Sequence, residues 1–152
     1  MTAISMREAN GSDREWAARL MAGSDPWITL RRGYELCLAS CRNPADDLLV
    51  AERAGERCGF VLVRPRGLAG APYIVSIAVD AAQRSTGVGR AMVSFVAERF
   101  ADRARHLYLC VSSFNPRALA MYEREGFIKV GELPDFIIDG ASEYLMCRRL
   151  VP

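Results

Sequence analysis

Apolar residues recur along the chain with two periods, and the alternation of those periods predicts a mixed α/β protein. Between residues 88 and 100 they recur at steps of three and four, which places them on one stripe of a helix. Shorter apolar runs bounded by turn residues predict strands. The pattern predicts helices over 13–21, 29–40, 88–100 and 116–125, and strands over 4–8, 48–52, 58–63, 74–79, 106–111, 127–132 and 143–148.

Local signals refine this order of elements. Ser12 precedes the first helix and Glu15 stands at its third position, which predicts a capping box. Polar residues 53–57 predict a hairpin between the second and third strands. The order β-α-α-β-β-β-α-β-α-β-β has no internal repeat or low-complexity linker, so we expect residues 1–152 to form one domain around one mixed sheet.

Composition narrows the classes of partner. The chain is 51% hydrophobic and 25% charged, and its net charge of +2 comes from dispersed basic residues, so we expect no nucleic-acid partner. It has no apolar stretch long enough for a bilayer and no secretory pattern, so we expect no membrane partner and a cytoplasmic location. The five cysteines lack a disulfide-like spacing, and nothing completes a tetrahedral site beside Cys37 and Cys41, so we expect reduced thiols and no metal. A homodimer is left open.

The strongest chemical signal is the turn at residues 83–90, between an apolar strand and the helix over 88–100. Gly87 and Gly89 allow close approach to backbone N–H groups, and the helix dipole adds positive potential there. Arg84 and Arg90 flank the turn and can donate to phosphate oxygens. The turn therefore predicts an anion site for phosphates. It lacks the Gly-Lys-Ser/Thr of a Walker loop, and Met92 replaces the third glycine of a dinucleotide fingerprint.

A second block lies downstream, over residues 115–127. Asn115 is a good N-cap, Pro116 suits the first helical position, and Gly126 suits the position after the last turn. Helical spacing places the Tyr122 phenol beside small and apolar neighbours. Taken alone, this block favours a tyrosine packed in a core.

Together the two blocks resemble the GNAT superfamily of N-acetyltransferases. The first matches its Arg84-x-x-Gly87-x-Gly89 signature, and the second its N-x-x-A-x-x-x-Y-x-x-x-G-F segment at residues 115–127. The resemblance implies a central, mostly antiparallel mixed sheet of six to seven strands flanked by about four helices. It also implies acetyl-coenzyme A as co-substrate, transfer of its acetyl group to a primary amine, and no metal.

The resemblance further implies where the cofactor lies. In the family, the strands before the two motifs splay apart at a bulge, and the pantetheine arm enters the gap as a pseudo-strand. The cofactor-binding residues implied here are Ile77, Ala78, Val79, Arg84, Ser85, Thr86, Gly87, Val88, Gly89, Arg90, Asn115, Arg117 and Tyr122.

The resemblance also assigns catalytic roles. Tyr122 would protonate the leaving thiolate, Asn115 would bond the pantetheine arm or order water, and a backbone N–H near Val79 would stabilise the oxyanion. Some relatives place a glutamate base on the strand before the turn, but residues 73–79 contain no acid here. Water, Glu143 or Asp80 then stay open as the proton acceptor. His106 and Cys110 are expected to fill packing or surface roles.

The acceptor follows from analogy alone. Residues 23–34 and 133–142 should line its site, and they supply acids and aromatics that suit a cationic amine. A small-molecule amine (polyamine-like, an amino acid or an antibiotic) is the first expectation, and a peptide or protein N-terminus or lysine is the second. A non-catalytic acyl-coenzyme A binding or sensor module is the alternative class.

Overall fold

The computed structural model describes residues 2–150 and contains a seven-stranded sheet with helices on both faces. The strands are β1 (Ile4–Glu8), β2 (Asp47–Arg53), β3 (Glu56–Leu68), β4 (Ala71–Val79), β5 (His106–Ser112), β6 (Ile128–Leu133) and β7 (Glu143–Arg149). The helices are α1 (Asp13–Ala22), α2 (Tyr34–Cys41), α3 (Val88–Phe100) and α4 (Pro116–Arg124), with a short 3-10 helix at Ala81–Gln83.

The strand order is β1-β2-β3-β4-β5-β7-β6, and β4 and β5 are the parallel neighbours in an otherwise antiparallel sheet. The expected fold class, a mostly antiparallel mixed sheet flanked by about four helices, is therefore confirmed for the described residues. The parallel pair needs a long crossover, and α3 supplies it.

Alternation along β3 divides the interior into two cores. Phe60 and Leu62 face one side of the sheet, where they pack with α1 and α2. Val61 and Val63 face the other side and pack with α3. Successive side chains of a strand point to opposite faces, so a strand covered on both faces becomes a continuous apolar run.

Two predictions near the N-terminal helices were wrong. Ser12 makes no capping hydrogen bond; instead the Asp13 carboxylate accepts the Asn10 N–H at 2.8 Å and pairs with Arg7 and Arg57. The Arg7 guanidinium holds the pKa of Asp13 at about 2. The second helix begins at Tyr34 and not at residue 29, because the chain before it forms turns in which Thr29 donates to Asp25.

β3 and β4 form a hairpin whose strands are longer than the predicted strands 58–63 and 74–79. Its strands extend to Leu68 and from Ala71, joined by Ala69 and Gly70 at φ of 51° and 79°. A positive φ at both central residues matches the twist of a two-residue hairpin. Pro65 lies within β3, where proline is disfavoured, and the register there is irregular, so the sequence pattern hid this extension.

Candidate active site

The turn at residues 83–90 presents backbone N–H groups to a cleft of about 1030 Å³, called here the large cleft. The first helical hydrogen bond of α3 runs from Ala91 N–H to Gly87 O at 3.0 Å, so the N–H groups of residues 88–90 have no partner within the helix. Gly87 caps α3 at φ 92°, a conformation that glycine adopts without strain. The turn therefore has the backbone geometry of an anion site.

Gly89 serves a different purpose from Gly87. A Cβ at Gly87 would meet nothing within 4 Å, so its role is conformational. A Cβ at Gly89 would lie 3.3 Å from Met121 Cε, where α3 approaches α4 beside the cleft. A larger side chain at Gly89 would therefore occupy the space in front of the exposed N–H groups.

Three of the four arginines that line the large cleft, Arg84, Arg90 and Arg117, lie near this turn. Arg84 donates to Ser24 Oγ at 3.3 Å, and Arg117 of α4 donates to Ser85 Oγ. Arg90 pairs with Glu125 at 3.3 Å while 77% of its side chain stays exposed. Guanidinium groups bind phosphate oxygens through directed N–H donors, so these side chains extend the anion site beyond the backbone.

An arginine that the sequence analysis did not single out holds the turn in place through hydrogen bonds. Arg53, at the end of β2, donates to Gln83 Oε1 at 2.7 Å, to Thr86 Oγ1 at 2.9 Å and to Thr86 O at 3.1 Å. The Thr86 hydroxyl in turn donates to Gln83 O at 2.5 Å. Thr86, expected to contact the cofactor, does not line the large cleft, since its side chain faces Arg53.

β4 and β5 separate next to the turn. They pair at Tyr73↔Tyr108 and Ile74↔Leu109, and the β3–β4 register shifts at Val75, which is an extra residue opposite β3. Beyond this bulge, residues 77–79 line the large cleft while β4 still pairs with β3 on its other side. The free edge of β4 offers backbone donors and acceptors to an extended ligand.

α4 brings Asn115 and Tyr122 to the same place. Asn115 Oδ1 accepts the Ala118 N–H at 3.3 Å as an N-cap, so its side-chain amide hydrogens are left for a ligand. The Tyr122 ring is buried edge-on against Phe127, with centroids 5.9 Å apart. Among residues 2–150 no protein group hydrogen-bonds the Tyr122 hydroxyl, although the side chain lines the cleft. Burial raises the pKa of this phenol, which keeps it protonated.

A second cleft of about 290 Å³ is lined by residues 73–77 of β4 and 109–112 of β5. The two clefts share six lining residues: Asp25, Trp27, Ile77, Asn115, Ala118 and Tyr122. The second cleft also contains Tyr73, Cys110, Ser112 and Glu143, together with Phe136 and Ile137 of the β6–β7 loop. Two ligands could therefore meet at Tyr122, one from each cleft.

Glu143 is the buried acid of the second cleft. Its Oε2 accepts a hydrogen bond from Ser112 Oγ at 2.6 Å across the β5–β7 pair. Burial raises the pKa of Glu143, and the Ser112 hydrogen bond partly opposes that rise. Asp80 lines neither cleft, since it caps the 3-10 helix at Ala81–Gln83. Of the two acids left open by the sequence, Glu143 therefore has the better position.

The structure brings most of the expected site residues together. The large cleft is lined by Ile77, Ala78, Val79, Arg84, Ser85, Gly87, Val88, Gly89, Arg90, Asn115, Arg117 and Tyr122. Val88 has a buried side chain, so its backbone N–H is the group it can offer. Sequence reasoning missed the roles of Arg53 and Ser112, because each acts through a partner distant in sequence.

The described chain, residues 2–150, offers neither a membrane-spanning helix nor a metal-binding cluster. No helix in it is long and apolar enough to cross a membrane. No group of three or more histidine, cysteine or acidic side chains in it is placed to hold a metal ion.

Known proteins match this chain in sequence and in fold. Residues 12–127 match the profile of the acetyltransferase (GNAT) family. The chain is 30% identical over 138 residues to a Mycobacterium tuberculosis protein named N-alpha-acetyltransferase RimI, and the match covers 88% of this chain and 82% of that protein.

Solved structures extend the likeness to the whole fold. An aminoglycoside 6'-N-acetyltransferase complexed with coenzyme A matches with a TM-score of 0.79 and 17% identity, over 97% of this chain and 98% of the other. The Escherichia coli ribosomal-protein-S18-alanine N-acetyltransferase matches with a TM-score of 0.76 and 17% identity, over 99% and 96%. Because the sequence identity is 17% in both cases, these two matches show a similarity of fold alone.

Proposed function

Because the chain belongs to the acetyltransferase (GNAT) family and is an acetyl-coenzyme A-dependent N-acetyltransferase, we propose that it acetylates the N-terminal amine of a peptide or protein. The observation that carries the acetyl transfer is the meeting of the two clefts at Tyr122 and Asn115, beside the free edge of β4. A thioester in the large cleft and an amine in the second cleft would react there directly. No covalent enzyme intermediate is then needed.

The cofactor fits the large cleft by its chemistry. Its pyrophosphate would accept hydrogen bonds from the N–H groups of residues 88–90, and Arg84, Arg90 and Arg117 would bond the outer phosphate oxygens. Its pantetheine arm carries amides, which would pair with the backbone of residues 77–79 along the free edge of β4.

The chemical step begins with attack of the neutral amine on the thioester carbonyl. A backbone N–H near Val79 would stabilise the oxyanion that forms, and the C–S bond then breaks to release a thiolate. Tyr122 donates its proton to that thiolate. Burial makes the phenol a weaker acid than free tyrosine, and the same apolar surroundings would disfavour the thiolate, so the pKa of both groups would shift in the same direction.

The amine must lose a proton before or during attack. A primary amine has an ordinary pKa of about 8 at a peptide N-terminus and about 10 on a side chain. Glu143, with Ser112 holding one of its oxygens, is the buried carboxyl group of the second cleft and would accept the proton directly or through water. Starting from the ammonium, the nitrogen loses two protons: one goes to Glu143 or water before attack, and the second leaves the tetrahedral intermediate. Tyr122 protonates the thiolate, and the second proton restores Tyr122 through solvent.

The N-terminal amine is chosen as acceptor because the 30% identical relative is named an N-alpha-acetyltransferase. Its lower pKa also makes it neutral more often than a lysine at pH 7. A small-molecule amine is the second candidate, favoured by the modest 290 Å³ of the second cleft. The non-catalytic sensor is not favoured, because the chain belongs to a family of enzymes.

Thiol release with a panel of amines tests the proposal. Purified protein with acetyl-coenzyme A is given free N-terminal peptides, the same peptides with blocked N-termini, spermidine and an aminoglycoside. We expect thiol release and mass-detected acetylation with free N-termini and none with blocked ones. Equal release from blocked peptides that contain lysine would move the acceptor to a side chain, and turnover of the small amines alone would favour the second candidate.

A further inference from the structure

Large apolar side chains are exposed on two loops that line the two clefts. Phe136 and Ile137 of the β6–β7 loop line this cleft and are 63% and 41% exposed. Ile28, on the loop between α1 and α2, is 56% exposed and lines the adjoining large cleft beside Trp27. Ile28, Phe136 and Ile137 are called here the apolar rim. Single exposed apolar residues are ordinary, but three on two loops that line adjoining clefts indicate a contact surface.

The apolar rim is held in place by its own loops. In the β6–β7 loop, Gly140 N–H donates to Asp135 Oδ1 at 2.7 Å, and Ser142 bonds Ser113 of the loop after β5 through Ser142 N–H and Ser142 O at 3.0 and 2.8 Å. In the other loop, Ile28 N–H donates to Ser24 O at 3.0 Å. A surface ordered before binding loses less entropy when a ligand arrives.

Charged side chains of the second cleft complement the ammonium group and the backbone of a peptide N-terminus. The exposed Asp25 carboxylate lies between the two clefts, and hydrogen bonds from Thr29 lower its pKa, so it is charged at neutral pH. Glu143 lies deeper in the second cleft. Arg32 lines the same cleft, and peptide carbonyl oxygens offer it acceptors that a simple alkylamine lacks.

We propose that the second cleft and its apolar rim select peptide N-termini that carry a large apolar side chain at the first or second residue. The ammonium enters between Asp25 and Glu143, and the apolar side chain packs on Phe136, Ile137 and Ile28. The inference rests on the proposed acetyl transfer to an N-terminal amine, and it names the class of peptide that the site takes.

Binding in a complex that cannot react tests the surface without relying on turnover. The protein is saturated with coenzyme A, which has no acetyl group, and titrated calorimetrically with Met-Leu-Gly-Lys amide, Ser-Asn-Gly-Lys amide or phenethylamine. The two peptides carry the same charge. We expect the apolar peptide to bind roughly tenfold more tightly than the polar one, a difference of about 1.4 kcal/mol. Equal affinity of the two peptides would overturn the proposal, and so would phenethylamine binding as tightly as the apolar peptide.

Substitution of the rim supplies a matched control. Phe136→Ser should bring the two peptides to within about threefold of each other, by removing the apolar contact area that distinguishes them. Ile128→Ser on β6 removes a side chain that is equally exposed, at 65%, but lines neither cleft, so it should keep the wild-type preference. An unchanged preference in Phe136→Ser, with coenzyme A affinity intact, would contradict the role of the rim.

The same peptides separate this inference from the function on which it rests. If both peptides are acetylated at equal kcat/KM and bind equally, the enzyme is an N-terminal acetyltransferase and the selectivity is wrong. If the apolar peptide binds preferentially but is never acetylated, the proposed acceptor fails while the binding surface stands.

Discussion

At the scale of single residues, Tyr122 carries the sharpest prediction. Its hydroxyl has no protein partner among residues 2–150, so Tyr122→Phe removes one oxygen without leaving a donor or acceptor unpaired. We expect thermal stability and coenzyme A affinity to stay near wild type. We expect kcat to fall by about 10² to 10⁴, as for loss of a general acid.

The leaving group provides a control for this mechanism. A donor thioester with a more acidic thiol needs less protonation as the C–S bond breaks, so the rate gap between Tyr122→Phe and wild type should narrow with it. Wild-type rates in Tyr122→Phe, both in steady state and in a single turnover, would show that Tyr122 is a packing residue.

Glu143→Gln should change activity and stability in opposite directions. The folded protein raises the pKa of Glu143 by burial, so it binds this proton more tightly than the unfolded chain does. Protonated Glu143 therefore stabilises the folded state fully at pH values below the pKa of Glu143 in the unfolded chain. This stabilisation is lost as the pH rises through the pKa of Glu143 in the folded protein. Gln keeps a neutral group of the same shape beside Ser112.

We therefore expect Glu143→Gln to melt at a higher temperature than wild type at pH 8, with the difference shrinking toward pH 4. If Glu143 is the base, kcat/KM of the wild type rises with pH as its carboxyl group loses its proton, and Glu143→Gln should lose that rise. Ser112→Ala, which keeps Glu143 but removes its hydrogen bond, should move that rise to higher pH. An unchanged pH–rate profile in both variants would leave water as the proton acceptor.

At the scale of elements, the turn at residues 83–90 depends on β2. Arg53→Met keeps the apolar stem of the side chain and removes the donors that hold Gln83 and Thr86. We expect the KM for acetyl-coenzyme A to rise by about tenfold, since one or two hydrogen bonds of roughly 1 kcal/mol no longer order the turn. We expect kcat to change little.

An acetyl donor without phosphates separates an effect of Arg53 on the turn at residues 83–90 from an effect on the whole fold. S-acetylpantetheine does not use the turn, so Arg53→Met should process it as wild type does. Arg103→Met, on the surface after α3, is the matched control and should leave both donors unaffected. Equal losses with both donors would mean that Arg53 supports the fold as a whole.

Elements with strong local signals could be predicted from the sequence, and elements set by tertiary contacts could not. The 88–100 and 116–125 helices have an apolar stripe or cap residues, and α3 and α4 lie there to within a residue. The capping of α1 involves Arg57, which is 44 residues from Asp13 and reaches it only in the folded chain. The start of α2 is set by a local turn in which Thr29 donates to Asp25, and the helical pattern did not reveal that turn. The same holds for the candidate site. Sequence motifs predicted the turn at residues 83–90 and Tyr122, but not Arg53 and Ser112, whose partners are distant in sequence.

At the scale of the whole molecule, ligand-dependent stability should discriminate among cofactors. A ligand that binds the native state alone raises the melting temperature, so acetyl-coenzyme A should shift it upward. ATP and NAD should not, because the turn lacks the Walker lysine and the third dinucleotide glycine. Differential scanning fluorimetry measures all three. A larger shift with ATP or NAD would contradict the assigned cofactor site.

Gly89→Glu is the control for this experiment. Its side chain would enter the space beside Met121 and place a negative charge where phosphates lie. The variant should fold, melt near the wild-type temperature without ligand, and lose the shift with acetyl-coenzyme A. A retained shift would place the phosphates elsewhere.

The short pairing of β4 with β5 has a consequence for the order of events. Two residue pairs join a four-stranded half-sheet, β1 to β4, to a three-stranded half-sheet, β5 to β7. Ile77 and Val75 of the first half and Ser112 and Glu143 of the second form opposite walls of the second cleft. A ligand that lies in the gap between β4 and β5 would contact both half-sheets and so fix the distance between those walls. We therefore expect the amine site to be complete only after the cofactor has bound, and we predict an ordered mechanism in which the cofactor binds first.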